Sequence, residues 1–129
     1  EALKKHLLEL GHQVIDHGAM EFMEDDDYPD FILPAAYAVA KGEGDRGIIF
    51  GGSGQGEAMC ANRVSGVRCT TYYGGDSGIV EVSRQHNNAN MLAIGARFVT
   101  VHHMIEVVSL FLETPFSNDS RHTRRLNKF

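Results

Sequence analysis

Gly47-Ile48-Ile49-Phe50-Gly51-Gly52-Ser53-Gly54-Gln55-Gly56-Glu57 is the stretch on which the fold turns. Its opening is a continuous apolar run, the pattern of a strand covered on both faces of a sheet. Glycines at 51, 52, 54 and 56 interrupt the run, and a helix is predicted from Glu57 to Val64. Strand, glycine-rich loop and helix together open a parallel α/β unit, and in open α/β sheets ligands bind beyond the carboxyl ends of the strands. Backbone N–H groups in such a loop can approach an anion closely, and the helix start adds its positive dipole end. The pattern is not a Walker loop, because no Lys-Ser/Thr follows, and it is not a clean GxGxxG. A tight turn without a ligand is the plainer alternative.

Working outward, Val67 to Tyr72 reads as the next strand, and Ile79, Val80 and Val82 begin a helix that ends near Asn87 and Asn88. Met91-Leu92-Ala93-Ile94 is a further strand. Val101, Met104, Ile105, Val108 and Leu112 line a longer helix that ends before Pro115, and a basic helix is predicted from Ser117. Upstream, Leu3, Leu7, Leu8 and Leu10 give a helix face stopped by Gly11. Gln13-Val14-Ile15-Asp16 reads as a short strand, followed by an acidic loop from Glu21 to Asp27. Asp30 is placed to cap a helix through Ala35, Ala36, Val39 and Ala40, in which Pro34 fits only within the first turn. The alternation predicts one α/β domain over residues 1–129: a three-layer, doubly wound, Rossmann-like parallel sheet with helices on both faces. Such a chain normally begins with a strand, whereas this sequence begins with a helix. The first strand of the fold is therefore expected to lie outside the sequence Glu1–Phe129.

Composition narrows the classes. With 43% hydrophobic and 22% charged residues among 129, the chain matches an ordinary globular domain rather than a disordered one. No apolar run approaches a membrane span, and the charged Glu1-Ala2-Leu3-Lys4-Lys5 does not read as a signal peptide. A net charge of −5 does not suggest nucleic-acid binding. The charge is uneven, however. Residues 1–45 carry 11 acids and 3 bases, and residues 46–129 carry 6 acids and 9 bases, ending in Arg121-His122-Thr123-Arg124-Arg125-Leu126-Asn127-Lys128. A small anion or a partner's acidic face suits that tail; a solvated basic helix is the alternative. Cys60 and Cys69 form no disulfide framework and no zinc spacing, read as small core residues, and fit a reducing, cytoplasmic setting.

Two side chains stand out as acid–base candidates. Glu57 opens the helix after the glycine loop, where a helix-dipole partner is the plain reading and a general base the sharper one. The helix end favours its carboxylate form, while cover by a substrate favours protonation. His86, in Ser83-Arg84-Gln85-His86-Asn87-Asn88-Ala89-Asn90, sits among amides at a helix end just before a strand, where a titrating group is plausible. His102 and His103, on an amphipathic helix, read as surface or packing residues. No Ser-His-Asp order supports a hydrolase.

Asp27-Tyr28-Pro29-Asp30, the loop from Gly51 to Gly56, Ala61-Asn62-Arg63-Val64-Ser65-Gly66-Val67-Arg68, the segment from Ser83 to Asn90, Gly95-Ala96-Arg97, Thr114-Pro115-Phe116 and Arg121-His122-Thr123-Arg124-Arg125 occur in that order. This ordered set, spread over nearly the whole chain, resembles the type B ribose-5-phosphate isomerases, a family that also contains galactose- and allose-6-phosphate isomerases. The resemblance implies aldose–ketose isomerisation in pentose metabolism through an enediolate, with neither metal nor organic cofactor. Many members carry a catalytic cysteine just before the loop; here that place is Gly51. A second branch places a glutamate directly after the loop, and Glu57 matches it. By that analogy Glu57 moves the proton between C2 and C1, while Ser53 and the N–H groups of Gly52, Gly54 and Gly56 hold the enediolate oxygen. His86 matches the ring-opening acid–base, Asn87 a sugar contact, and Arg97, Arg121 and Arg125 the phosphate-binding arginines. Arg121 and Arg125, four residues apart, share a helix face. The family further implies a homodimer or a dimer of dimers with the site at the subunit interface, where Arg97 serves the neighbouring subunit's phosphate. Its members begin with a strand ending in Asp-His-Ala-Gly, a motif not present here. The alternatives are isomerisation of a six-carbon sugar phosphate, or a non-catalytic nucleotide- or phosphate-binding module of flavodoxin-like shape.

Overall fold

A computed structural model describes residues 1–129. In chain order the elements are α1 (Ala2–Glu9), α2 (Pro29–Ala40), β1 (Gly47–Gly51), α3 (Gln55–Ala61), β2 (Cys69–Tyr72), α4 (Gly78–Asn87), β3 (Met91–Gly95), α5 (Val101–Glu113) and α6 (Ser120–Leu126). The three strands form one parallel sheet in the order β1-β3-β2, with Gly47 opposite Met91 and Cys69 also opposite Met91. All five residues of β3 are buried. Their side chains alternate between two cores, as the pleat requires. Leu92 and Ile94 join Leu3, Val80, Val107, Val108 and Phe111 beneath α1, α4 and α5. Met91 and Ala93 join Ile32, Ala36, Ile49, Ala58 and Ala61 beneath α2 and α3. Helices thus cover both faces, as the predicted three-layer arrangement requires.

Two asparagines fix the edge strand β2. The Asn62 side chain donates to the Cys69 carbonyl at 2.9 Å and accepts from the Cys69 N–H at 2.7 Å, doing for this edge what a neighbouring strand would do. Asn90 accepts from the Arg68 N–H at 2.7 Å and donates to the Gly66 carbonyl at 2.8 Å, which sets where β2 begins. After β2, the Tyr72 hydroxyl donates to the Gly75 carbonyl at 2.6 Å and closes the glycine turn that leads to α4. The same hydroxyl lies 2.7 Å from His103 Nε2, so His103 is half-buried while His102 is exposed.

The structure corrects four local expectations. Gln13–Asp16 is not a strand: β1 and β2 are the outer strands of the sheet, neither pairs with this segment, and Ile15 is 63% exposed. A strand exists only through its ladder, which no local pattern supplies. The cap of α2 is Tyr28 rather than Asp30, because the turn at Asp27 closes early: the Asp30 N–H already reaches the Asp27 carbonyl at 3.0 Å. Pro34 lies inside α2, beyond its first turn. The helix gives up one ladder bond there and persists because Ile32, Ala36 and Ala38 anchor it in the core. Finally, α3 starts at Gln55 and ends at Ala61, short of Val64.

Candidate active site

The chain leaves β1 at Gly51 and crosses the carboxyl end of the sheet. Bonds from the Ala96 N–H to the Gly51 carbonyl (2.8 Å) and from the Arg97 N–H to the Gly52 carbonyl (3.2 Å) carry the parallel pairing past the strand ends. The loops after β1 and β3 therefore lie side by side. Gly54 takes φ +75°, and a Cβ there would stand 3.0 Å from the Ile94 carbonyl carbon, so both conformation and space demand glycine. The N–H groups of Gly52, Ser53, Gly54, Gly56 and Glu57 donate to no group of the chain, while the Gln55 N–H donates to Ser53 Oγ at 3.3 Å. Unpaired N–H groups in a glycine loop that opens a helix are the materials of an anion cradle.

Glu57 stands on the first turn of α3 and is only 7% exposed. Its carboxylate forms no ion pair and no hydrogen bond within the chain, and its oxygens keep contact with solvent. A nearly covered carboxylate with all its lone pairs free is equipped to take a proton from a group placed against it. Gly51 makes room for it: a Cβ built on Gly51 would coincide with the Glu57 carboxyl group. Two further side chains border the loop. The Arg97 guanidinium lies over Gly52, with Cζ and Nε 3.0 Å from where a Cβ would stand, and the Tyr28 hydroxyl lies over Gly56.

His86, Asn87, Arg121 and Arg125 stand elsewhere. In a parallel sheet the crossover helix returns to the amino end, so α4 delivers its last turn beside Met91, the first residue of β3. The strand separates the two ends by about 13 Å at 3.3 Å per residue. α6 packs against α4 at the amino end. The His86 and His122 rings are 4.3 Å apart. Ser117 ties the two helices: its N–H donates to the Gln85 carbonyl at 3.0 Å, and its Oγ lies 2.8 Å from His122 Nδ1. Desolvation pushes the His122 pKa below its ordinary value, and the neighbouring His86, Arg121 and Arg125 add to that against the pull of Asp119. The backbone N–H of Arg121, 2.8 Å from Asp119 Oδ1, holds that carboxyl below the usual range. Arg121 and Arg125 are exposed and carry no ion pair, leaving both guanidinium forks open to an anion.

One chain therefore presents two groups rather than one. Glu57, Ser53, Gly52, Gly54, Gly56 and Arg97 share the carboxyl end of the sheet, while His86, Asn87, Arg121 and Arg125 share the amino end. Arg97 lies with its own chain's glycine loop and apart from the other two arginines. Tyr28, over Gly56, joins the first group, and His122, against His86, joins the second; sequence spacing gives neither placement. Neither Cys60 nor Cys69 offers a thiolate: both are half-buried, and burial raises Cys60 and pushes Cys69 up to about 12. No three His, Cys, Asp or Glu side chains stand together as a metal site, and no helix is long and apolar enough to cross a membrane.

Fold and geometry define a Rossmann-like α/β domain with a row of unpaired loop N–H groups beside a free carboxylate. Comparison with known proteins sharpens that class. A family model described as Ribose/Galactose Isomerase matches residues 1–129. Ribose-5-phosphate isomerase B of Mycobacterium tuberculosis is 41% identical over 123 residues, covering 95% of this chain and 75% of the relative. The structure of Clostridium thermocellum ribose-5-phosphate isomerase B superposes with a TM-score of 0.90 at 39% identity, covering 98% of this chain and 82% of that one. Ribose-5-phosphate isomerase B of Mycoplasma genitalium, solved with bound ribulose 5-phosphate, gives a TM-score of 0.90 at 38% identity over the same shares. The chain belongs to the ribose/galactose isomerase family.

Proposed function

We propose that the protein is a sugar-phosphate isomerase that interconverts ribose 5-phosphate and ribulose 5-phosphate. The observation that carries this reading is the free, nearly buried Glu57 carboxylate beside five unpaired N–H groups. Ribulose 5-phosphate bound to the Mycoplasma genitalium relative supports the choice of sugar. Glu57 takes the C2 proton of the open aldose, giving a 1,2-enediolate, and returns a proton to C1. The oxygen bearing the developing charge rests in the cradle of Gly52, Ser53, Gly54 and Gly56, where one well-aimed donor contributes about 3 kcal/mol to transition-state stabilisation. His86 opens the furanose by taking the C1 hydroxyl proton and protonating the ring oxygen, with Asn87 holding the sugar. Arg121 and Arg125 grip the phosphate through charge-assisted forks, and Arg97 adds its charge from the cradle side.

A five-carbon sugar phosphate is too short to touch both ends of one chain's sheet. We therefore assign each complete site to two copies of the protein, one supplying Glu57, Arg97 and the loop, the other His86, Asn87, Arg121 and Arg125. A homodimer or a dimer of dimers meets that need. Residues 1–129 form a single domain in this reading, and the two unpaired cysteines suit a cytoplasmic enzyme.

The experiment is an isomerase assay on ribose 5-phosphate, allose 6-phosphate and galactose 6-phosphate, with Glu57→Gln alongside. Conversion of ribose 5-phosphate in preference to the others, lost at least about 100-fold in the variant, is expected for a general base. Conversion of a six-carbon sugar instead would reassign the substrate. Full turnover in Glu57→Gln would remove Glu57 from the mechanism.

A further inference from the structure

Arg84 is the largest fully buried side chain, 2% exposed, and no carboxylate pairs with it. Burying a guanidinium without a counter-ion is costly and is offset only by good hydrogen bonds. Its bonds go to three places. Nε donates to the Thr114 carbonyl at 3.0 Å, and Nη1 donates to Asn88 Oδ1 at 2.9 Å and to the Ala89 carbonyl at 2.6 Å. The guanidinium carbon also stands 5.9 Å from the centre of the Phe111 ring. Desolvation lowers the Arg84 pKa, and Arg46 and Arg68 lower it further, yet an arginine keeps its charge.

These acceptors are informative because of what they adjoin. Asn88 and Ala89 form the left-handed turn directly after His86 and Asn87, and Asn88 itself has φ +47°. Thr114 opens the connection that leads through Ser117 to α6, which carries Arg121, His122 and Arg125. A leucine or methionine would fill the same space without a buried charge, but could not join these segments.

From this bridging we infer that Arg84 is a positioning residue: it sets the ring-opening group His86-Asn87 and the phosphate-gripping helix α6 at a fixed spacing. The inference rests on the proposed isomerase reading. It makes a specific demand on the kinetics. Opening cyclic ribose 5-phosphate needs His86 and the phosphate grip in register, whereas exchange of the C1 proton of ribulose 5-phosphate with solvent needs chiefly Glu57 and the cradle. The ketose has no hydroxyl placed to close a five-membered ring, so it meets Glu57 already open.

The test compares Arg84→Lys with the unaltered protein, by conversion of ribose 5-phosphate and by exchange from D2O into saturating ribulose 5-phosphate. Lysine keeps the charge but cannot span three acceptors. Conversion is expected to fall at least about tenfold with a raised KM, as a misplaced group would cause, while exchange changes less than about threefold. Should Arg84→Lys fail to fold, Asn88→Gly keeps the left-handed turn, removes one acceptor, and is expected to show the same split in smaller measure. Equal loss of conversion and exchange, or no loss of either, would overturn the positioning role. Absence of both activities from the unaltered protein would instead overturn the isomerase reading on which it rests.

Discussion

The two ends of the sheet solve different problems with different materials. At the carboxyl end, eleven consecutive residues supply a strand, a row of backbone donors and a carboxylate, and the main chain provides most of the free polar groups. At the amino end, side chains from α4 and α6 meet through Ser117, His122 and Arg84, and the main chain serves mainly as their anchor. A backbone cradle is rigid and insensitive to side-chain identity except where glycine is required. A side-chain cluster assembled from distant segments depends on every strut between them.

The largest effects should come from the carboxyl end. Gly51→Ala puts a methyl group where the Glu57 carboxyl lies. A base displaced by about 1 Å can lose 100-fold, so turnover is expected to fall as far as in Glu57→Gln, with substrate affinity nearly kept. Next comes a mixing experiment that sets the ends against each other. Glu57→Gln and His86→Ala, each impaired alone, are unfolded and refolded together. About a quarter of normal turnover is expected, because half of randomly formed dimers are mixed and each regains one of its two sites. If both residues serve one site within one chain, mixing restores nothing. A smaller effect should follow from Arg121→Ala or Arg125→Ala: KM for the phosphorylated sugar rises about tenfold with kcat changed less, as loss of shared binding requires. A calorimetric titration with ribulose 5-phosphate would show the same weakening.

The smallest effect concerns stability. His122 has a pKa below its ordinary value of 6.5 in the fold, chiefly through desolvation. Between those two values the unfolded chain binds more protons at this group, so stability rises with pH across that window and falls as pH is lowered through it. His122→Asn should flatten this slope. Urea midpoints from pH 8 to pH 5 for the two proteins would reveal it, and identical slopes would refute the contribution.

Met91–Ile94 was legible as a strand covered on both faces, whereas Gly47–Phe50, an equally unbroken apolar run, forms an outer strand whose Phe50 is 44% exposed. Gln13–Asp16 misled because strand formation needs a neighbour, and pairing is non-local. Pro34 misled because core packing outweighed one lost helical bond. The position of Glu57 in the first turn after the loop was legible; its burial was not, because it depends on the room that Gly51 leaves. The division into two ends was encoded less visibly: a helix that precedes a parallel strand must bring its last residues to that strand's start, which fixes His86 at the amino end. Arg84 escaped notice because its partners are carbonyls and one amide, contributed by segments that sequence spacing does not connect.

The overlap of Gly51 with Glu57 has a consequence for how such proteins can change. A side chain at 51 and an inward carboxylate at 57 claim the same volume, so the two positions are strongly non-additive. A lineage that trades a side chain at one of these positions for one at the other cannot pass through both at once. It must first empty one position and tolerate a crippled intermediate, or alter both positions together, and that valley in sequence space keeps the two solutions apart.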